Sequence, residues 1–394
     1  MGSSRGTGLT APSARGRRRS LTPALVAVSF MALAATAFAM LGPLADHSPR
    51  PALRAATADV PAFGMMAWRA NALGPADFAL LRGSGARYYR FNLLTSATDD
   101  RGRGLPIKKY DRLIRAGVTQ DIEFLPVLLR SRPDRPGNPK QVAEPPETPR
   151  EHETWRKRVR IFAERYGPGG RFWRENPELP YRPLRAWEIW NEPNLRQFWD
   201  RRQVNPREYG RLLRETRAVL RDVDPQARIV SAGLAARYNG ARYLRVALAE
   251  AGWCSVDAIG VHPYAPSTAG AIKHLAAARR VADARGAESV PLWTTEIGWK
   301  VGGRGYSNVP DVRAQARELG RFAVVSERRR EQLKLGPSFA FALRDRQNLK
   351  TGKVDSTVGL RRADDRPKPS WRVWSLAARA APELPLPPAR RCGR

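Results

Sequence analysis

From residue 61 onward the chain alternates short apolar runs with longer stretches of helical period. The runs at 62–68, 85–94, 122–129, 186–190, 227–234, 257–264, 291–299 and 338–343 read as strands. The clearest helical pattern is Pro206–Val223, where Tyr209, Leu212, Leu213, Thr216, Val219 and Leu220 share one stripe behind a capping Asn205. Strands alternating with helices predict parallel βα units. Eight such units predict a closed (β/α)8 TIM barrel over residues 61–381, with its active site at the carboxyl ends of the strands.

Two connections are long. The segment 130–150 holds Pro133, Pro136, Pro139, Pro145, Pro146 and Pro149. Proline cannot join a central strand, so this is an extended loop walling the cleft. The segment 300–310 contains Gly302, Gly303 and Gly305 and is either a lid or a flexible surface loop. No internal repeat and no second domain are visible.

Two strand ends carry the candidate chemistry. The fourth run closes in Asn191-Glu192-Pro193-Asn194, and Pro193 stops the strand so that Glu192 sits at its carboxyl end. Aromatic surroundings favour a raised carboxyl pKa there, which suits a general acid. The seventh run delivers Glu296 in Thr295-Glu296-Ile297-Gly298-Trp299. Two carboxyl groups on separate strand ends match retaining glycoside hydrolysis, in which one protonates the leaving oxygen and the other attacks the anomeric carbon. Arg90 and Tyr264, each at a strand end, are candidate donors that keep Glu296 ionised. Asn191 is a candidate partner of the sugar 2-hydroxyl. Trp68, Trp190 and Trp299 are candidate platforms for the sugar, with core packing as the competing role. Glu188 points to the same side as Glu192, one layer deeper, and reads as structural. His47, His152 and His274 have no comparable setting.

Asn191-Glu192-Pro193 and Thr295-Glu296-Ile297-Gly298 resemble the acid/base and nucleophile signatures of the (β/α)8 retaining glycoside hydrolase clan. Within it the chain is most similar to the family of β-xylosidases, α-iduronidases and bacterial exopolysaccharide glycosidases, over about Pro61 to Trp374. The resemblance implies Glu192 as acid/base and Glu296 as nucleophile. It also supports Arg90 and Tyr264 as partners of the nucleophile, and His262, in Val261-His262-Pro263-Tyr264, as part of the floor in contact with substrate, with a satisfied structural histidine as the competing role. One departure concerns the end of strand eight, where many clan members carry Trp. Here Phe339-Ala340-Phe341-Ala342 has none, so Phe341 substitutes or the subsite differs.

Composition adds a strong positive balance, +32, from 69 Lys and Arg against 37 Asp and Glu. The arginines are scattered, and beyond the N-terminus no basic run interleaves with aromatics. Nucleic acid is therefore not an expected partner; the charge reads either as an arginine bias on a solvated surface or as a fit to an anionic polysaccharide among the carbohydrate substrates that the resemblance implies. Residues 1–45 join a basic stretch (Arg5, Arg15, Arg17, Arg18, Arg19) to an uncharged run from Ser20 to Ala45, with Ala37-Phe38-Ala39 as a cleavage pattern. They read as a signal peptide or signal anchor that engages the membrane or export machinery. The protein is then secreted or held at the outer face of the cytoplasmic membrane. Residues 46–60 read as a linker, and 382–394 as a loosely held Pro/Arg-rich tail. Cys254 and Cys392 have no metal-ligand spacing. They either pair, in an exported protein, or remain two thiols. No cofactor or metal is expected. The competing class is a barrel that binds glycans or cell wall without cleaving them.

Overall fold

The computed structural model describes residues 59–68, 73–95, 104–130, 143–199, 203–348 and 350–392. The expected signal segment and nearly all of the linker lie outside them, as do residues 131–142 of the proline-rich loop. Among the described residues no helix is long and apolar enough to cross a membrane.

The described chain is the expected (β/α)8 barrel. Its strands are β1 (Phe63–Met66), β2 (Tyr88–Leu94), β3 (Glu123–Leu129), β4 (Ala186–Asn191), β5 (Arg228–Ala235), β6 (Ile259–His262), β7 (Leu292–Ile297) and β8 (Leu335–Phe341). Each pairs in parallel with the next, and β8 closes on β1. The helices that follow them in turn are α1 (Pro75–Ser84), α2 (Ile107–Val118), α3 (Pro149–Tyr166), α4 (Pro206–Val223), α5 (Gly240–Ala251), α6 (Thr268–Asp283), α7 (Val312–Arg328) and α8 (Pro369–Ala380). The α4 stripe is buried as the pattern requires, and Asn205 accepts hydrogen bonds from the Arg207 and Glu208 backbone N–H groups. Within the stripe, the Tyr209 hydroxyl donates to the Ile189 carbonyl and accepts from the Ala232 N–H, fixing α4 against β4 and β5.

The barrel interior is layered. Near the amino-terminal ends, Tyr88, Leu125, Ala186, Val230, Ala258, Trp293 and Phe339 form one buried apolar cluster with Val60. Above it the same inward positions turn polar, with Arg90 after Tyr88 on β2 and Glu188 after Ala186 on β4. That change from apolar to charged along each strand puts the charged layer toward the carboxyl ends.

Three local expectations change. β8 begins at Leu335 rather than 338, because Gly336-Pro337 reads as a turn yet falls at a register shift against β7. The 300–310 segment is ordered. Lys300–Val301 pairs in parallel with Asn308–Val309, and the Asn308 amide donates to the Gly302 carbonyl. The tail is held firmly rather than loosely. Glu383–Pro385 pairs antiparallel with Asp59–Pro61, the last two residues of the expected linker and the first of the expected barrel. Leu384 and Leu386 pack on the apolar layer, the Arg390 N–H donates to Asp257 at 2.6 Å, and Cys392 is disulfide-bonded to Cys254. The prolines hid an ordinary alternation of apolar positions.

Candidate active site

Arg90 organises the charged layer. It is fully buried, and its Nε and Nη2 donate to the two Glu188 oxygens at 2.6 and 3.0 Å. Nη2 also donates to Asn191 Oδ1 at 2.8 Å, and Nη1 donates to Glu296 Oε1 at 2.7 Å. Burial opposes the charge of Arg90, but Glu188 and Glu296 outweigh it and hold its pKa above the usual value. A buried guanidinium shared by two carboxylates is stable only with such complete hydrogen bonding. Glu188 is therefore a positioning carboxylate. It also accepts from the Gly233 N–H at 2.9 Å.

Glu296 receives its second donor from Tyr264, whose hydroxyl lies 3.0 Å from Oε2. Burial, then Glu296 and Glu192, raise the Tyr264 pKa well above the ordinary phenol value, so it remains a donor. Simple alternation does not deliver Glu296. Between the Ser338–Thr294 and Ala340–Ile297 pairs, β7 advances three residues while β8 advances two. The extra residue lets two consecutive side chains reach the interior, Thr295 to His262 and Glu296 to Arg90.

Glu192 sits across from this pair. Its strand ends through two non-glycine residues at positive φ, Trp190 at 76° and Glu192 at 42°. Such positions cost on the order of 1–3 kcal/mol each and are held where surrounding contacts over-determine them. Here the Glu192 N–H donates to the Gly233 carbonyl, and the Trp190 indole donates to the Phe198 carbonyl. Burial pushes the Glu192 carboxyl up to about 7; Arg90 pulls against this and Glu188 adds to it.

His262 links the two halves. It is fully buried, and its Nδ1 lies 2.9 Å from Glu192 Oε1 and 3.8 Å from Glu296 Oε2. Those oxygens are thus no further apart than these two distances laid end to end. Its Nε2 lies 3.0 Å from Thr295 Oγ1. Burial lowers its pKa to about 4, so the ring is neutral near pH 7. With no exposed surface, His262 is a buried link rather than a floor open to a ligand.

The remaining candidates separate. Asn191 sits beside Glu192 with its carbonyl oxygen taken by Arg90. Trp190 and Trp299 are completely buried, Trp190 between Trp155 and Trp199 and Trp299 against Phe322, so neither offers a face to a sugar. Trp68 is half-buried and packs edge-on against Phe341 at the end of β8. Both line or flank a second region of the top face, a cavity of about 850 Å³ whose wall includes Trp68 but neither Glu192 nor Glu296. Two residues to which the sequence assigned no role, Thr295 within the second motif and Gly233 outside both, hold the site together. Thr295 orients His262. Gly233 leaves room for it, since a Cβ there would lie 2.0 Å from His262 Nε2 and 2.4 Å from Thr295 Oγ1. A lone Gly within a strand is the only sequence signal for such close approach.

Residues 188–319 match the family model of the glycosyl hydrolase catalytic core, a span that contains both glutamates. Among solved structures, the chain is similar to a family 39 glycoside hydrolase from Bacteroides cellulosilyticus WH2. The TM-score is 0.62 at 19% identity, covering 82% of this chain and 64% of that one. It is also similar to a monomeric β-xylosidase from Caulobacter crescentus CB15, with TM-score 0.58, 18% identity, and 80% and 68% coverage. A Bacteroides uniformis β-glucuronidase matches at TM-score 0.52 and 14% identity, covering 82% of this chain and 35% of that one. At these identities the likeness is one of fold, and the chain spans 64% of the family 39 structure's length. No curated protein matches.

The chain thus shares its closed (β/α)8 barrel with solved glycoside hydrolases, and part of it, residues 188–319, matches the glycosyl hydrolase catalytic core.

Proposed function

We propose that the protein is a retaining glycoside hydrolase acting by double displacement, with Glu296 as nucleophile and Glu192 as acid/base. The observation that carries this reading is the single imidazole nitrogen lying 2.9 Å from one carboxylate and 3.8 Å from the other. Retaining pairs stand about 5–5.5 Å apart and inverting pairs about 6.5–9.5 Å. The shared contact with His262 limits the nearest Glu192 and Glu296 oxygens to at most the sum of 2.9 and 3.8 Å, which supports the closer, retaining arrangement. In the first step Glu296 attacks the anomeric carbon, the glycosidic C–O bond breaks, and the Glu192 proton passes to the leaving oxygen. In the second, Glu192 takes a proton from water as the water displaces the Glu296 ester. Arg90 and Tyr264 each donate to one Glu296 oxygen, fixing the carboxylate in the orientation attack needs. Neutral His262 serves both states of Glu192: Nδ1–H donates to the carboxylate, and in the other tautomer Nδ1 accepts from the carboxylic acid. With its Oδ1 held, Asn191 turns its amide N–H groups to the sugar 2-hydroxyl.

The substrate we infer is an extracellular oligosaccharide or polysaccharide. The charge of +32 favours an anionic one. Export to the cell surface or beyond is supported by the basic-then-uncharged leader, and by a disulfide that persists in an oxidising compartment. The orientation of two carboxyl groups by separate donors favours catalysis over simple glycan binding.

The test is turnover of an aryl glycoside panel with azide rescue. Glu192→Ala should load good-leaving-group substrates, and azide should then release a glycosyl azide of unchanged configuration. Glu296→Ala should give at most the inverted azide. Inverted azide from Glu192→Ala alone would exchange the two roles.

A further inference from the structure

We propose that the 850 Å³ cavity beside Trp68 is a separate sugar-binding subsite, holding a second residue of the glycan whose bond is cleaved between Glu192 and Glu296. The inference rests on the glycosidase reading and extends it: the substrate is a chain of sugars rather than a single glycoside.

Position is the first argument. Ala67 and Trp68 follow β1, Leu343 to Gln347 follow β8, and Asp77 opens α1, so every wall belongs to the carboxyl-terminal face of the barrel. The wall also joins, through neighbouring residues of β1 and β8, to the surroundings of the proposed nucleophile. Met66, two residues before Trp68, lies with its Sδ 2.9 Å from Arg90 Nη1, the nitrogen that donates to Glu296. Phe341, against which Trp68 packs, follows Ala340, the partner of Ile297 next to Glu296. A glycan leaving the cleft over β1 and β8 enters this cavity.

Chemistry is the second argument. The volume falls in the range of about 300–1,000 Å³ usual for small-molecule sites. Trp68 lines the cavity with Ala67, Leu73 and Leu343, and Phe341 packs behind it at 4.4 Å between ring centroids, so the wall has an apolar part suited to the C–H face of a sugar. Apart from Lys350, the charged side chains of the wall are held in pairs, and three basic groups (Arg344, Arg346, Lys350) face three acidic ones (Asp77, Asp345, Asp355). Arg346, 4.4 Å from the Trp68 ring centre, binds Asp355 at 2.6 Å. Arg344 is held by Asp77 and Asp365 at 2.6 and 2.7 Å, and Asp345 by Lys368 at 2.6 Å. Paired in this way they present fixed donors and acceptors without a local excess of charge. Such a wall recognises hydroxyl groups better than an ion or a hydrocarbon chain.

Arg346 is the residue to remove, because it lies on the exposed rim and bears on no core contact. The assay compares kcat/KM for an aryl monoglycoside with that for oligosaccharides of two to five residues of the same sugar, in the wild type and in Arg346→Ala. The expected result is an additional loss of about tenfold for the longer chains relative to the monoglycoside, entering through KM, with Trp68→Ala showing the same preference more strongly. Equal losses on all substrates, or none on the longer chains, would overturn the subsite while leaving the glycosidase reading intact. Calorimetric binding of xylo-, gluco- and glucurono-oligosaccharides to Glu192→Gln separates the two ideas in the other direction. Saccharide binding that Arg346→Ala weakens, in a wild-type protein that hydrolyses no glycoside, would uphold the subsite and remove the proposed reaction.

Discussion

If Glu192 is the proton donor, its own titration sets the alkaline limit of activity. Burial moves its carboxyl from 4.5 to about 7, a displacement worth on the order of 3 kcal/mol. Glycosylation of substrates with poor leaving groups needs the protonated form. At one pH unit above that value about a tenth of the carboxyl remains protonated, so kcat/KM should fall to about a tenth of its plateau at pH 8 and about tenfold further per unit. The assay is kcat/KM against pH for two aryl glycosides of one sugar, with leaving phenols of high and low pKa. The first should show the limb near pH 7 and the second a much weaker one, because its leaving group departs without help. Glu192→Gln should abolish the limb as well as most turnover of the first substrate. A limb that persists unchanged in Glu192→Gln, or that is equally steep for both phenols, would refute the assignment.

Three further outcomes follow from the same contacts. Glu192 holds its proton more tightly folded than unfolded, so its contribution to stability falls as pH rises from 4.5 through about 7. His262, lowered from 6.5 to about 4, contributes stability that is lost as pH falls through that window. The two oppose each other in the wild type. Glu192→Gln should therefore make the melting temperature climb with pH between 4 and 6.5, and a flat profile would show that His262 is not held neutral. Gly233→Ala should displace His262 and Thr295 and cut kcat sharply, since its Cβ would lie 2.0 Å from the imidazole; unaltered kcat would mean that the ring does not matter to the reaction. Cys254→Ser removes a link across 138 residues, worth up to about 5 kcal/mol by loop entropy, so it should lower the melting temperature by several degrees, as should reductant.

The barrel was legible because its strands and helices have periods that sequence displays directly. All eight strand runs overlap the observed strands, and the α4 stripe is buried as written. Arg90 and Tyr264 were expected beside Glu296 from supposed strand-end positions; Arg90 in fact lies within β2 and Tyr264 two residues past β6, and both reach Glu296 because the inward positions of a barrel converge. What sequence concealed depends on departures from regular geometry. The bulge that turns both Thr295 and Glu296 inward leaves no mark in composition. Trp299 looked like a platform because it follows the motif, but after the bulge it faces Phe322 and the helices. His262 looked open, yet Glu192 and Thr295 occupy both its nitrogens. The tail looked loose because proline density obscured Leu384 and Leu386, and because pairing of distant cysteines is invisible to local pattern.

The central claim is that Glu296 forms a covalent bond to the sugar while Glu192 supplies and recovers the proton. The most direct measurement is mass spectrometry of the protein after incubation with an activated 2-deoxy-2-fluoro glycoside chosen from the panel of turned-over substrates. The account expects one added glycosyl unit per chain, mapped by proteolysis to the peptide containing Thr294-Thr295-Glu296-Ile297, and absent in Glu296→Gln. A label on Glu192, or full turnover of the parent glycoside with no label and an inverted product, would contradict it.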